Sequence, residues 1–119
     1  MSAIEDRGQR AETFVACHLL KAVQTWEDLG HGSYELRHVR DKDKREVDFL
    51  VVRDRRPWFL VEAKLGDDEL SPSLAHFHRQ TGAKHAFQAV VEQDFADADC
   101  FRRTDPCVVP ARTLLSQLP

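Results

Sequence analysis

Hydrophobic residues near the start of the chain recur every three or four positions, the spacing of one helical face. Between Asp6 and about Leu29 these residues are Ala11, Val15, Leu19, Ala22 or Val23, and Trp26. The segment GHGS interrupts the pattern, and YELRHVR (34–40) then alternates apolar and polar residues. We therefore predict a long first helix followed by a strand with one buried face.

Two denser apolar segments follow, EVDFLVV (46–52) and PWFLVEAK (57–64). They are apolar on both faces except at charged positions, which is typical of central strands that are covered on each side. The next segment, LSPSLAHFHRQTG, predicts a short helix with Ser71 as the N-cap, Pro72 at the first helical position and Gly82 as the stop.

The C-terminal part predicts two more strands and a last helix. HAFQAVVE (85–92) is strand-like, and because a helix separates it from 57–64, the two strands should be parallel neighbours joined by a crossover. QDFADADCFRRTD is polar and irregular, CVV indicates a short strand, and PARTLLSQL indicates a helix opened by Pro110. The order α-β-β-β-α-β-β-α predicts an α/β fold with a mixed central sheet flanked by helices, and 119 residues suit a single domain over 1–119.

The amino-acid composition indicates the general class of protein. Hydrophobic residues make up 42% and charged residues 31% of the chain, which is typical of a soluble globular domain. No segment has the apolar length of a membrane span, and MSAIEDRGQR lacks the apolar core of a signal peptide. The cysteines are odd in number and form no CxxC pair, which argues against a disulfide framework or a cysteine zinc site. We expect a cytoplasmic protein.

Charge is unevenly distributed along the chain. Lys and Arg number 17 and Asp and Glu 20, so the net charge of -3 does not indicate a polyanionic partner. The runs RHVRDKDKR (37–45) and RDRR (53–56) nevertheless concentrate positive charge near the two central strands. Solvated loops are the ordinary interpretation of such runs, although a phosphate backbone needs only a local basic rim.

Charged residues interrupt both central strands. Asp48 lies in the first strand, and Glu62 and Lys64 lie two residues apart in the second. Because side chains alternate along a strand, Glu62 and Lys64 should share one face with Trp58 and Leu60. An acid or a lysine at such a position requires either a partner or a function.

The relative position of the two acids depends on the turn between the strands. We predict a three-residue loop over 54–56, which pairs Arg53 with Pro57 and places Asp48 directly opposite Glu62 on the same face. A two-residue loop would shift the pairing by one residue and send the two carboxylates to opposite faces.

Two carboxylates held together in an apolar sheet repel each other and lose hydration, so a cation should accompany them. Mg²⁺ suits such a pair because it binds through one or two carboxylates and retains water. Asp48 and Glu62 are therefore candidate metal ligands, and the backbone carbonyl of Ala63 is a further one. Lys64 is the candidate catalytic cation, because a metal-bound water beside an ammonium group is typical of phosphodiester hydrolysis.

Glu12 is a fourth candidate, because it falls on the helical stripe of Val15 and Leu19, where an unpaired acid would be costly. It would reach the metal through water.

Each of these candidate residues also has a purely structural interpretation. Asp48, Glu62 and Lys64 would then form a partly buried salt-bridge cluster, and Glu12 would be a surface acid paired with Arg10 or Lys21.

An acid in the first helix, an aspartate in the second strand and E-x-K in the third strand, followed by a helix, resemble the layout of the PD-(D/E)XK nuclease superfamily. More narrowly, ETFVACHLLK, REVDFLVV, WFLVEAKLGDDELSPSL and VVPARTLLSQLP look like the nuclease-like domain that ends many predicted prokaryotic AAA-type ATPases. The similarity runs from about Gly8 to Pro119.

The resemblance implies a restriction-endonuclease-like core and an active site made of Glu12, Asp48, Glu62 and Lys64. It also implies Mg²⁺ or Mn²⁺ as the cofactor, DNA as the substrate, and Gln80 in the following helix as an additional polar residue of the site. An AAA-type ATPase module would be a partner, although the chain contains no G-x-x-x-x-G-K-[ST] and would be either free-standing or a C-terminal piece of a longer protein.

Two functions from different classes follow from these observations. The first is a metal-dependent endonuclease that cuts DNA, for which a homodimer would help to cleave both strands of a duplex. The second is a catalytically silent nuclease-like module that binds DNA or an ATPase partner. The complete set of charged residues favours the first function, whereas the negative net charge favours the second.

Overall fold

A mixed five-stranded sheet in the spatial order β1-β2-β3-β4-β5 organises the fold. The computed structural model describes residues 3–119, with side chains from Asp6 onwards. The helices and strands along the chain are α1 (Ala3–Asp28), β1 (Tyr34–Arg40), β2 (Glu46–Arg53), β3 (Arg56–Lys64), α2 (Pro72–Thr81), β4 (His85–Val90), β5 (Cys107–Pro110) and α3 (Ala111–Ser116). This order confirms the predicted α/β fold.

The sheet is antiparallel from β1 to β3 and parallel from β3 to β5. The predicted parallel pairing of β3 with β4, connected through α2, is confirmed. The segment that was predicted to be irregular contains a short 3-10 helix, Cys100–Arg102. Pro110 ends β5 and caps α3, so the last helix begins one residue later than predicted.

Apolar layers cover both faces of the sheet, which explains why the central strands are apolar on both sides. One layer joins the sheet to α1 and α3 through Val15, Leu19, Phe59, Val61, Phe87 and Leu114. The other joins it to α2 through Val47, Leu60, Leu74, Phe77 and Ala86. Among the described residues, no helix combines the length and apolar character needed to cross a membrane.

The turn between β2 and β3 differs from the prediction. Arg53 pairs with Arg56, so the loop has two residues, and Asp54 and Arg55 both have positive φ, 51° and 67°. The predicted three-residue loop is wrong. Positive φ at both central positions is typical of a two-residue type I′ turn, which usually contains Asn-Gly or Asp-Gly, and the sequence Asp-Arg does not carry that signature.

A β-bulge at Trp58 compensates for the shorter loop. Val52 pairs with Pro57, whereas Val51 pairs with Phe59, so Trp58 is an extra residue in β3. Beyond the bulge the register equals that of a three-residue loop without a bulge. The last pair of this ladder towards the acids is Phe49 with Val61, so the register approaches the predicted position of Asp48 opposite Glu62 for a different reason.

Trp58 itself lies on the face opposite to the predicted one. Its ring packs against Trp26 and Tyr34 beneath α1, with ring centroids 5.2 and 6.1 Å away. The bulge interrupts the alternation of side chains, so Trp58 does not share the face of Leu60. Trp26 and Trp58 thus belong to the aromatic core.

Candidate active site

Asp48 lies where the strand β2 is irregular on the side of β1. Arg37 pairs with Leu50 and Val39 pairs with Val47, so two residues of β2 lie opposite His38 alone. This is a second β-bulge, a feature that is common beside active sites because it changes the direction of a side chain. Here it occurs at Asp48 and Phe49.

The carboxylate of Asp48 crosses to β3. Its Oδ2 accepts a hydrogen bond from the backbone N–H of Ala63 at 2.8 Å. The last ladder pair at this end joins Phe49 to Val61, and counting one residue outward brings Asp48 level with Glu62. The two acids are therefore neighbours across the β2–β3 pair.

The environment of Asp48 favours the protonated carboxyl. Its pKa is raised from 3.8 to about 6, and burial is the largest cause. Repulsion from the carboxylates of Glu12 and Glu62 contributes to this rise, whereas the hydrogen bond from Ala63 N–H and the Lys64 ammonium oppose it. The arrangement would favour an additional positive charge beside Asp48.

Glu62 is the most buried acid of the site, with a relative exposure of 9%. Its Oε2 is buried and makes no hydrogen bond to any residue that the structure describes. A carboxylate oxygen in this state has lost hydration without a replacement, which costs about 1–3 kcal/mol or more. Such an atom is a candidate ligand for a cation.

Lys64 is half-buried at the end of β3 and lines an open hollow of about 320 Å³. The other lining residues belong to the β3–α2 connection and the start of α2: Asp67, Glu69, Leu70, Ser71 and Pro72. Within residues 3–119, Lys64 forms no ion pair with Asp48 or Glu62. The salt-bridge cluster considered as the structural alternative is therefore not formed.

The backbone of Ala63 is directed towards β2. Its N–H reaches Asp48, whereas the carbonyl of Lys64, the next residue, accepts a hydrogen bond from Val91 N–H on the β4 side at 2.9 Å. Because the N–H and C=O of one strand residue point to the same neighbouring strand, the Ala63 carbonyl also lies on the side of Asp48. This is consistent with its predicted role as a further oxygen ligand.

Gln88 is a residue of this region that the sequence analysis missed. It is fully buried in β4 and pairs with Glu62. Its Nε2 donates to the carbonyls of Asp67 and Glu69 at 3.1 and 2.8 Å, and its Oε1 accepts from Ser71 N–H at 2.8 Å. The signal was a glutamine within the apolar segment HAFQAVV, where a polar side chain needs buried partners.

Through these bonds Gln88 holds the β3–α2 connection over the site. Ser71 occupies the predicted N-cap position, but its hydroxyl makes no capping hydrogen bond. The backbone N–H of Ser71 donates a hydrogen bond to Gln88 Oε1. The wall of the hollow beside Lys64 is thus anchored to the strand that neighbours Glu62.

Glu12 differs from the expectation. It is exposed on α1, between the buried residues Ala11 and Val15, so the argument that an unpaired acid would be costly there is wrong. Hydrophobic periodicity identifies the face of a helix that packs against the sheet. Residues at the edge of that face are open to solvent where no other helix or strand covers them. Glu12 still lies near enough to raise the pKa of Asp48.

Gln80 is not brought to the site. It is exposed near the end of α2 and lines a different surface hollow, with Arg40, Asp41, Lys42, Asp43 and Arg45. Lys64 lies in the same hollow as Pro72 at the start of α2. Gln80 is eight residues further along this helix, a distance of roughly 12 Å. The expectation for Gln80, which the resemblance implied, has no support in the geometry.

The carboxylates do not form a three-acid cluster. Among residues 6–119, whose side chains are described, no group of three or more His, Cys, Asp or Glu side chains is arranged to hold a metal ion. The candidate site therefore consists of two adjacent carboxylates, one backbone carbonyl and one ammonium, with Glu12 at its edge.

The two basic runs lie at opposite ends of the sheet. The β1–β2 loop (41–45) lies at the end of the sheet where β3 finishes, which is also the end that carries Asp48 and Lys64. In this loop Arg45 pairs with Asp41 and Asp43. Residues 53–56 form the hairpin at the other end of the sheet. Only the first run therefore lies at the same end of the sheet as the site.

Fold and site together define an α/β domain whose mixed sheet carries an acid pair and a lysine at one end. The chain belongs to the family described as Domain of unknown function (DUF4143), whose model matches residues 7–111. No curated protein and no solved structure matches the chain. The description of the family assigns no activity, so the chemistry must be argued from the site.

Proposed function

We propose that this domain is a Mg²⁺- or Mn²⁺-dependent endonuclease that hydrolyses phosphodiester bonds in DNA. The observation that carries the proposal is the buried Oε2 of Glu62, which lacks a hydrogen-bond partner among the described residues. It belongs to a carboxylate that lies next to a second one, Asp48, across the β2–β3 pair.

The residues present fit a hard divalent cation. Asp48 and Glu62 would hold it through carboxylate oxygens, and the carbonyl of Ala63 would add a neutral oxygen. Glu12, exposed at the edge of the site, would interact through water. When bound, the ion supplies a water of lowered pKa and positive charge for a phosphoryl oxygen.

Lys64 is the residue of the chain that would contribute a positive charge to the active site. Because its ammonium is not held in an ion pair by a described residue, it is free to orient the attacking water or to stabilise the charge that develops on the phosphoryl group. The Gln88 side chain keeps the neighbouring connection in place, so that Lys64 faces an open hollow.

The decisive experiment is incubation of supercoiled plasmid and of branched DNA with Mg²⁺, Mn²⁺ or EDTA. We expect metal-dependent cleavage by the wild-type chain, and a loss of more than about 100-fold for Glu62→Gln and for Lys64→Met, in line with the loss of one electrostatic group from an active site. Glu35→Gln is the matched control, because Glu35 is an exposed strand acid paired with Arg37.

Titration calorimetry with Mn²⁺ provides a readout that does not depend on turnover. We expect binding by wild type and by Glu35→Gln, and none by Glu62→Gln. Cleavage that survives both active-site substitutions would contradict the proposal, as would wild-type protein that neither binds Mn²⁺ nor cuts any substrate.

A catalytically silent module that binds DNA or an ATPase partner is the second candidate function. The exposure of Glu12 favours it, because the third acid does not converge with the other two. DNA binding without cleavage in any metal would establish this function. An AAA-type ATPase partner and a homodimer remain predictions, and size-exclusion chromatography tests the latter.

A further inference from the structure

A second charged hollow lies at the end of the sheet opposite to the candidate active site. We call it the hairpin-end hollow; it measures about 470 Å³ and is lined by Arg53, Asp54, Arg56, Pro57, Trp58 and Lys84. The strand β3 separates it from Lys64 by eight residues, roughly 26 Å. It is therefore not part of the site described above.

The three cations of the hairpin-end hollow are not neutralised within the described part of the chain. Arg53, Arg56 and Lys84 are exposed and form no ion pair with any residue in 6–119, the range whose side chains are described. The one acid of the lining, Asp54, accepts a hydrogen bond from Ser33 N–H at 2.9 Å. Its carboxylate is thus engaged by the α1–β1 connection, and the hollow keeps an excess of positive charge.

The positions of these cations are restricted by the fold. The guanidinium of Arg53 lies over the rings of Trp58 and Tyr34, 5.4 and 5.9 Å from their centroids. Arg56 opens β3, and Lys84 immediately precedes β4, which pairs with β3 from Phe59 onwards. Three cations that repel one another therefore lie at the same end of three adjacent strands, β2, β3 and β4.

We propose that the hairpin-end hollow binds phosphate groups, carried either by a free nucleotide or by a nucleic-acid backbone. Two guanidinium groups and an ammonium around one small volume suit an anion with several oxygens and concentrated charge, and arginine binds phosphate through paired N–H donors. An acidic peptide would spread single charges over separate side chains and leave part of this set unmatched. The proposal does not depend on the nuclease activity.

The test is a binding experiment in HEPES with EDTA, so that no cleavage can occur. Fluorescence anisotropy would follow a labelled single-stranded 12-mer DNA, and tryptophan fluorescence would follow inorganic pyrophosphate, since Arg53 lies directly on Trp58. We expect Arg56→Glu/Lys84→Glu to lower the affinity for at least one of these probes by tenfold or more. Both side chains are exposed, so the variant should fold, and circular dichroism checks this.

Lys21→Glu/Arg112→Glu is the matched control, because it changes the net charge equally at exposed positions outside the hollow. Binding is measured in EDTA and cleavage is measured separately with a divalent metal, so failure of this proposal is distinguishable from failure of the proposed nuclease. Loss of pyrophosphate binding alone would identify a free nucleotide or polyphosphate as the ligand, and loss of DNA binding would identify a nucleic-acid backbone. Equal losses in the control variant, no binding of either probe by wild type, or tighter binding of polyglutamate would overturn the proposal.

Discussion

At the scale of single residues, the two central acids of the site, Asp48 and Glu62, lie in surroundings with little access to water. Asp48 is partly buried beside two other carboxylates, and Glu62 has a buried oxygen without a hydrogen-bond partner in the described chain. A domain selected only for stability would gain from neutral residues here. The acids are thus better explained by a function that needs their charge.

We expect the stability of the protein to depend on the protonation of Asp48. Because its pKa in the folded state is raised from 3.8 to about 6, the folded state binds this proton more tightly than the unfolded chain. The contribution to stability is fully present below about pH 4 and is lost as the pH rises through about 6. Asp48→Asn should therefore be about as stable as wild type at pH 4 and about 1–2 kcal/mol more stable at pH 8, after allowance for solvent screening.

Urea unfolding at the two pH values measures this difference, with Asp94→Asn as the control at a fully exposed acid. Under the proposed function, Mg²⁺ at pH 8 should raise the melting temperature of wild type but not of Asp48→Asn. A variant that is less stable than wild type at pH 8 would show that the carboxylate is neutralised by the protein itself.

At the scale of elements, the site depends on irregular strands and on one anchored connection. The bulges at Trp58 and at Asp48–Phe49 bring the acids together, and Gln88 fixes the segment between β3 and α2. Regular pairing alone would place these groups differently. The irregularities therefore determine the geometry of the site.

We expect Gln88→Leu to loosen the β3–α2 connection. Asp67 and Glu69 would lose the donor to their carbonyls and Ser71 the acceptor for its N–H, so the free energy of unfolding should fall by about 2 kcal/mol. Hydrogen exchange of the Ser71 amide should become faster, while the amides of β2 keep their relative protection. Thr81→Val, which removes a hydroxyl at the far end of α2, is the control for a local loss of hydrogen bonds. Unchanged exchange at Ser71 in Gln88→Leu would refute the anchoring role.

At the scale of the whole molecule, the local distribution of charge is more informative than the net charge. The net charge is -3, yet the β1–β2 loop presents Lys42 and Lys44, both exposed, at the end of the sheet that carries the acid pair. Under the proposed function, nucleic acid would approach the site from the end of the sheet that carries this loop. The hairpin-end hollow provides positive charge at the other end.

If the domain binds DNA as proposed and these two lysines contact phosphates, we expect Lys42→Ala/Lys44→Ala to weaken binding equally for all sequences, because phosphate contacts carry no sequence information. The slope of log K against log salt should become shallower by about 1.8 for duplex DNA if both lysines contact phosphates. Anisotropy titrations between low and moderate salt, in EDTA, measure the slope, and Lys21→Ala is the control. An unchanged slope would place the DNA elsewhere on the surface.

Local features of the sequence determined the order of helices and strands. Hydrophobic spacing reports which face of a segment is buried, and Pro72, Gly82 and the GHGS segment mark where elements begin or end, so no distant contact is needed to predict them. The identity of the charged residues within apolar strands also indicated the candidate acids and the lysine.

Only the tertiary structure decided the register that brings Asp48 beside Glu62, the exposure of Glu12 and the role of Gln88. The register depends on a two-residue turn and on a bulge at Trp58. At this bulge Trp58 packs against Trp26, which is more than thirty residues away in the sequence. Whether a helical stripe is covered, and which backbone groups a buried glutamine reaches, depends on how distant segments pack against one another. The sequence by itself determined which groups are present and on which elements they lie, whereas packing decided which of them meet.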